Sequence, residues 1–334
     1  MATINALLHR HLLWLIIAAY ALAAAVPSPG DWIRRARLFD EGAGTTIRLP
    51  AALLAILLFI AGQTVNVKEL VNLVKRPFVL LAGLLASLVV PIVVVAGFAS
   101  ALAGWHDPGE TRSLVLGLAI VAAMPIAGSS AAWSRHFGGS TALSLGLVVV
   151  STVLSPLTTP LALTAFDSMR EHVVGLSGSP MTTILVVSVV FPSLAGMALR
   201  SAIGEPLHRL EPPRKFVASL VLLILCYSNA TASLPAVVHD PDWDYLALVV
   251  AAAAGLCFSG FAAGWVVGRI VKANREESRS LVFGLGMTNN GTGLVLAGAG
   301  LAGLPEAMLP VIVYNLIQHV LAGWAGRCLE TQAR

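Results

Sequence analysis

Charge is what this sequence has least of. Asp, Glu, Lys and Arg make up 11% of the 334 residues and hydrophobic residues 57%, whereas soluble domains carry about 25% charged residues. A water-facing globular surface is therefore excluded. The net charge of +4 is small, and no basic stripe alternates with exposed aromatics, so nucleic-acid binding is not indicated. Cysteine is scarce too: Cys226, Cys257 and Cys328 stand apart. Without CxxC or Cys/His spacing they read as small buried apolar residues rather than metal or redox groups. No Ser/His/Asp set, HExxH motif or paired carboxylates fall inside an apolar run, which argues against an enzyme.

What is present is long apolar sequence. At about 20 residues per bilayer crossing, it divides into ten spans, near 10–27, 46–65, 77–104, 113–136 and 140–165, then 181–203, 215–237, 243–269, 279–302 and 306–327. Short connections hold the Pro, Gly and charged residues, as at Glu211–Arg214, and no soluble domain intervenes. The start is ambiguous. Arg10, the run Leu12–Val26 and the small residues before Pro27 resemble a signal peptide, but they also fit a retained first helix. Charge bias favours the helix. Alternate loops place 15 of the 21 Lys and Arg on one side, and this excess marks the cytoplasmic face. A multi-pass protein of the cytoplasmic (inner) membrane with both termini cytoplasmic is expected.

Ten spans split into five and five, residues 1–166 and 180–334. An odd number per half makes a duplicated unit sit upside down, the plan of many secondary transporters, whose sites are built from discontinuous helices in matching places. Two spans carry such interruptions. The ninth holds Gly284–Gly293, with four glycines, two threonines and the amides Asn289 and Asn290; the fourth holds Pro125, Gly128, Ser129 and Ser130. Gly128 and Gly291 lie about half a chain apart. Backbone may leave the helix at membrane depth only where protein or a water-filled cavity satisfies it. The fold expected is therefore all-α and polytopic, with ten transmembrane helices as two inverted five-helix repeats and helices 4 and 9 broken and crossing.

Each break exposes N–H groups, which suit an anion, and C=O groups, which with hydroxyl and amide oxygens suit a small hard cation. No Asp or Glu lies well inside a span. The ionisable candidates inside spans are His319, near Asn315 and Gln318, and Arg135 at the end of the fourth; such residues are functional candidates, and His319 is the natural proton carrier if protons drive transport. Its bland alternative is a neutral, hydrogen-bonded helix contact. The acidic segment His239–Asp244 reads as a solvated loop.

These residues resemble the bile acid:sodium symporter (BASS) family, within the bile/arsenite/riboflavin transporter group. The likeness covers most of the chain and is carried by Lys75–Pro77, Met124–Ser130, Ala142–Ser144, Val150–Pro156 with Thr159 and Pro160, and Phe283–Asn289. It implies ten helices in a panel and a core domain, with the fourth and ninth broken and crossing. It also implies sodium sites, and there the chain diverges. The family's Glu and Gln at the ninth-helix break become Gly284 and Thr288, its Ser-Asn pair becomes Ser130 and Ala131, a threonine becomes Val148, and the third-helix glutamine becomes Ser87. Ser144 matches, and the tenth-helix His-Asn pair becomes Gln318 and His319. An arsenite-type thiol is missing from the fourth helix.

The expectation is a secondary transporter moving a small or amphipathic organic anion by alternating access, with sodium as the coupling ion and no other cofactor. Substrate contacts fall to Gly128, Ser129, Asn289, Asn290, Thr292, Gln318 and His319, and a weak sodium site to Ser130, Ser144, Thr288, Asn289 and Ser87. Proton-coupled or uncoupled transport through His319, and a non-transporting receptor or scaffold on the same fold, are the alternatives.

Overall fold

The computed structural model describes residues 11–41, 45–65, 77–166, 179–204, 207, 210–300 and 304–331. Lys75 and Arg76 of the family-like motif, and the loop cations Lys68, Arg170 and Arg209, lie outside these residues. The first helix is α1 (Leu12–Ala25), which meets α2 (Pro27–Arg35) at 95°. The residue before a proline is pushed out of helical geometry, and Val26 has φ −134° and ψ 76°. An antiparallel hairpin, β1 (Arg37–Glu41) and β2 (Thr45–Arg48), follows. The all-α expectation had no place for it.

Helices α3 (Leu49–Gly62), α4 (Pro77–Ala101), α5 (Pro108–Ala123), α6 (Gly128–His136) and α7 (Thr141–Thr164) complete the first half. In the second, α8 (Ser179–Leu185) runs through a π turn at Val186–Val190 into α9 (Phe191–Ile203); then come α10 (Glu211–Ala230), α11 (Leu234–His239), α12 (Trp243–Ile270), α13 (Arg275–Gly286), α14 (Asn290–Gly300) and α15 (Leu309–Thr331). Local chemistry fixes several starts. The Asp107 carboxylate accepts from Gly109 N at 2.6 Å ahead of α5. Asp242, expected in a solvated loop, caps α12 by accepting from Tyr245 N at 3.1 Å. Asn274 and Glu277 form a reciprocal capping box at α13, satisfying two donors that a helix start leaves orphaned.

Within the described residues, five helices are long and apolar enough to cross a membrane, including α4, α7 and α12. On α4 the residues Phe78, Leu81, Leu85, Val89 and Val93 are all exposed. Their three- and four-residue spacing puts them on one helix face, a greasy stripe of a size soluble proteins do not leave bare. This surface is solvated by lipid, and the chain is a multi-pass membrane protein built of helices.

The helices pack as two groups. One comprises α1, α3, α9 and α10; the other comprises α4, α5, α6, α7, α12 and α13; α14 and α15 touch both. Close backbone approach holds the first group together. A Cβ on Gly62 would run into the carbonyl oxygen of Ser193, and one on Gly196 into that of Phe59, so α3 and α9 cross at the two glycines. Small residues at helix crossings permit this contact in lipid. Gly196→Ala should therefore cost about 1–3 kcal/mol through overpacking. Gly97→Ala, with open space around the added methyl, should be neutral or mildly stabilising. Thermal unfolding in detergent measures both; an unchanged Tm for the Gly196 variant would refute the tight crossing.

Candidate functional site

The two interruptions meet. After α5 the chain runs extended, with Met124 at φ −77° and ψ 146°, and after α13 Met287 adopts φ −127° and ψ 120°. The segments pair as an antiparallel β-bridge between Ile126 and Thr288. Ala127 N donates to Met287 O at 3.0 Å, and Asn289 N donates to Pro125 O at 2.8 Å. Each break thus supplies the partners that the other lacks, as hydrocarbon depth requires. Side chains take the remaining groups. Ile126 N donates to Ser151 Oγ at 3.1 Å, Thr159 Oγ1 donates to Ala123 O at 2.8 Å, and Thr288 N donates to Gln318 Oε1 at 3.2 Å.

The helices that restart beyond the bridge differ. The start of α14 is capped, since Thr292 N donates to Asn289 Oδ1 at 3.3 Å and Gly293 N to Asn289 O at 3.1 Å. At α6 the corresponding residue is Ala127, which has no capping side chain. The N–H groups of Gly128 and Ser129 have no partner among the described residues, and both residues are exposed. An uncapped helix start carries partial positive charge and free donors.

It opens into a cavity of about 660 Å³. Residues Gly128, Ser129, Ala131, Ala132, Arg135 and His136 of α6 all line it, and that spacing is one continuous helix face. Apolar side chains of α3, α7 and α9 form the facing wall, among them Leu57, Val148, Val149 and Met197. Four cations, Arg135, Arg200, Arg214 and Lys215, also contribute. Three of them are engaged. Lys215 Nζ is 2.6 Å from Glu211 Oε1, Arg214 Nη1 donates to Gln63 Oε1 at 2.8 Å, and Arg200 Nη1 donates to Gly204 O at 3.4 Å. Arg135 makes no side-chain hydrogen bond or ion pair among the described residues.

Of the substrate contacts read from sequence, Gly128, Ser129 and Asn289 line this cavity; Asn290, Thr292, Gln318 and His319 do not. Asn290, Thr292 and Gln318 are buried behind the bridge. His319 is half-buried and makes no hydrogen bond or ion pair among the described residues. The cation candidates do not share one centre of hydrogen bonding. Ser144 Oγ donates to Ser134 Oγ at 2.7 Å, Ser87 Oγ to Leu84 O at 2.8 Å and Thr288 Oγ1 to Asn290 Oδ1 at 3.3 Å. Ser130 Oγ, by contrast, is buried with no partner. Beside Gly284, a Cβ would meet Leu147 Cδ1 at 3.0 Å, so leucine crowds the place where the resemblance expects a carboxylate.

Of the cavity's cations, sequence reasoning weighed only Arg135 as a functional candidate and took the others as topology markers; it also missed a buried relay behind the bridge. There Gln318 Nε2 donates to Asn315 Oδ1 at 3.4 Å, and Asn315 Nδ2 donates to the Tyr20 hydroxyl at 2.9 Å. Thr288, Gln318, Asn315 and Tyr20 thus join the break to α1. Leaving a buried donor unpaired costs about 1–3 kcal/mol. Gln318→Leu should lose about that much stability or more, whereas His319→Leu, which removes no hydrogen bond seen here, should lose far less. Parallel melting curves in detergent give the comparison; equal losses would show that Gln318 does not hold Thr288 N.

Similarity to known proteins agrees with this architecture. Residues 10–329 match the SBF-like CPA transporter family. YocS of Bacillus subtilis, named as a sodium-dependent transporter, is 27% identical over 298 residues covering 84% of each chain. YbaS of the same organism is 29% identical over 225 residues, 65% of this chain and 69% of its own. A chloroplastic protein of Arabidopsis thaliana, named as a probable sodium/metabolite cotransporter, is 29% identical over 267 residues, 78% of this chain and 63% of its own. With broken helices paired beside a cavity and a match along nearly its whole length, this chain belongs to the SBF-like CPA transporter family, a transporter of the kind its bile acid:sodium symporter motifs indicated.

Proposed function

We propose that the protein is a secondary transporter of small or amphipathic organic anions, working by alternating access. In this reading ten spans form two inverted repeats, residues 1–166 and 180–334, in the cytoplasmic membrane with both termini in the cytoplasm. The basic residues of the cavity then face the cytoplasm, following the positive-inside bias, and the structure is an inward-facing state. The observation that carries the proposal is the uncapped start of α6 opening into an apolar-walled cavity: free N–H donors for the anionic group, hydrocarbon for the rest of the cargo.

Gly128→Pro isolates the first of these. Proline is well tolerated at a first helical position, Ala127 already has the extended geometry a following proline demands, with φ −67° and ψ 138°, and a Cβ on Gly128 meets nothing within 4 Å. The change removes that N–H and no other hydrogen-bonding group. Hydrogen bonds to charged groups are worth about 1.5–3 kcal/mol, so affinity for an alkyl carboxylate should fall about tenfold or more with Tm unchanged. Retained affinity would place the anion elsewhere.

Sodium is proposed as the coupling ion, supported by the names of the relatives. The unpartnered Ser130 hydroxyl fits a cation ligand, and Ser144 and Thr288, acting as donors toward neighbours, keep lone pairs. No carboxylate is among them, so binding would be weak. Uptake into proteoliposomes should fall when choline replaces sodium and should saturate only at high sodium. Uptake indifferent to sodium that collapses with the proton gradient would overturn this in favour of His319; binding without counterflow would favour a receptor.

A further inference from the structure

We propose that the preferred cargo is an amphipathic dianion, with two anionic groups about 10 Å apart at opposite ends of an apolar body. This rests on the organic-anion reading of the same cavity and adds what the second half of α6 does. Gly128 and Arg135 both line the cavity and are seven residues apart, two turns along one helix face, or about 10.5 Å at 1.5 Å per residue. One end of that face offers the free N–H groups of Gly128 and Ser129. The other offers an exposed guanidinium without an acidic partner among the described residues, whereas of the other cavity cations Lys215 pairs with Glu211 and Arg214 donates to the amide oxygen of Gln63.

Between the two ends the surface is apolar. Ala131 packs with Val65, Leu145 and Met197 in a cluster joined by Val148 and Val149, and several of these face the cavity. A monoanion held at the helix start would lay its tail along this strip and leave the guanidinium to water. A second carboxylate at the far end pairs with it instead. Guanidinium is the cation best suited to a planar bidentate partner. A helical side chain leans toward the helix N-terminus, which shortens the span, while the first anion sits just beyond the helix start, which restores it.

The test compares nonanedioate with nonanoate, whose chains match the 10 Å span, and butanedioate with butanoate as a pair too short for it. Each is titrated calorimetrically against the purified full chain, wild type, Arg135→Gln and Arg135→Lys. A charge-assisted contact should favour nonanedioate over nonanoate by roughly tenfold, with no such preference in the short pair. Arg135→Gln should lower nonanedioate affinity to that of nonanoate, and Arg135→Lys should restore part of the difference. Melting curves check that each variant is folded. Equal binding of the two long acids, or a preference that survives Arg135→Gln, would overturn the dianion proposal while leaving the α6 anion site standing. If no acid binds wild type, or if Gly128→Pro leaves every affinity unchanged, the anion reading of the cavity falls and this inference with it.

Discussion

Backbone that leaves the helix inside a bilayer must find partners within the protein, and here two such segments find each other. The bridge between Ile126 and Thr288 uses Ala127 N with Met287 O and Asn289 N with Pro125 O. Neither break is self-sufficient. Straightening one helix would strand the groups of the other, and Pro125 lacks the donor that a continuous helix would need. The ring of Phe261 leaves no room for a Cβ on Gly286, so the second break is also held by packing. Breaks formed 160 residues apart in the chain are thus one structural unit.

The unit is not symmetric, and in the proposed function that asymmetry decides what binds. Asn289 spends its backbone N–H on the bridge and its side-chain oxygen on capping α14. Ala127 has only a methyl, so the start of α6 stays bare. Of two equivalent-looking helix starts, the chain silences one and offers the other to the cavity. An anion site made from backbone alone needs no buried lysine or arginine, whose desolvation at this depth would be costly.

Both breaks were legible because proline, glycine and asparagine punctuate the apolar runs locally: Pro125 with Gly128, and Gly286 with Asn289 and Asn290. The hairpin at Arg37–Arg48 was not, since its few residues carry no clear alternation. The division of labour between the breaks was written in the sequence, as alanine against asparagine ahead of α6 and α14, but composition alone makes the two look alike. Gln318 and His319 illustrate a harder limit. Adjacent residues on a helix point about 100° apart, and periodicity in an all-apolar helix does not say which faces the break. The structure sends Gln318 to Thr288 N and gives His319 no hydrogen bond among the described residues. Arg200 and Arg214 were visible but weighed only as topology signals, because their convergence with Arg135 on one cavity depends on α6, α9 and α10 coming together in space.

The missing carboxylate bears on coupling as well as on affinity. With Gly284 beside Leu147 and no Asp or Glu at the bridge, a cation near Ser130 would find no fixed counter-charge. Under the proposed function the only negative charge arriving there is that of the cargo, at the start of the same helix that carries Ser130. Two unit charges about 4 Å apart attract by about 4 kcal/mol at an effective dielectric of 20, and less at greater separation. A cation that binds weakly to neutral oxygens would then bind appreciably only when the anion is present. By reciprocity the anion would gain the same free energy from the cation. On that reading the missing carboxylate would move the coupling into the cargo itself: a fixed charge would hold sodium whether or not substrate came, and a charge-free bridge would hold the two together or hardly at all.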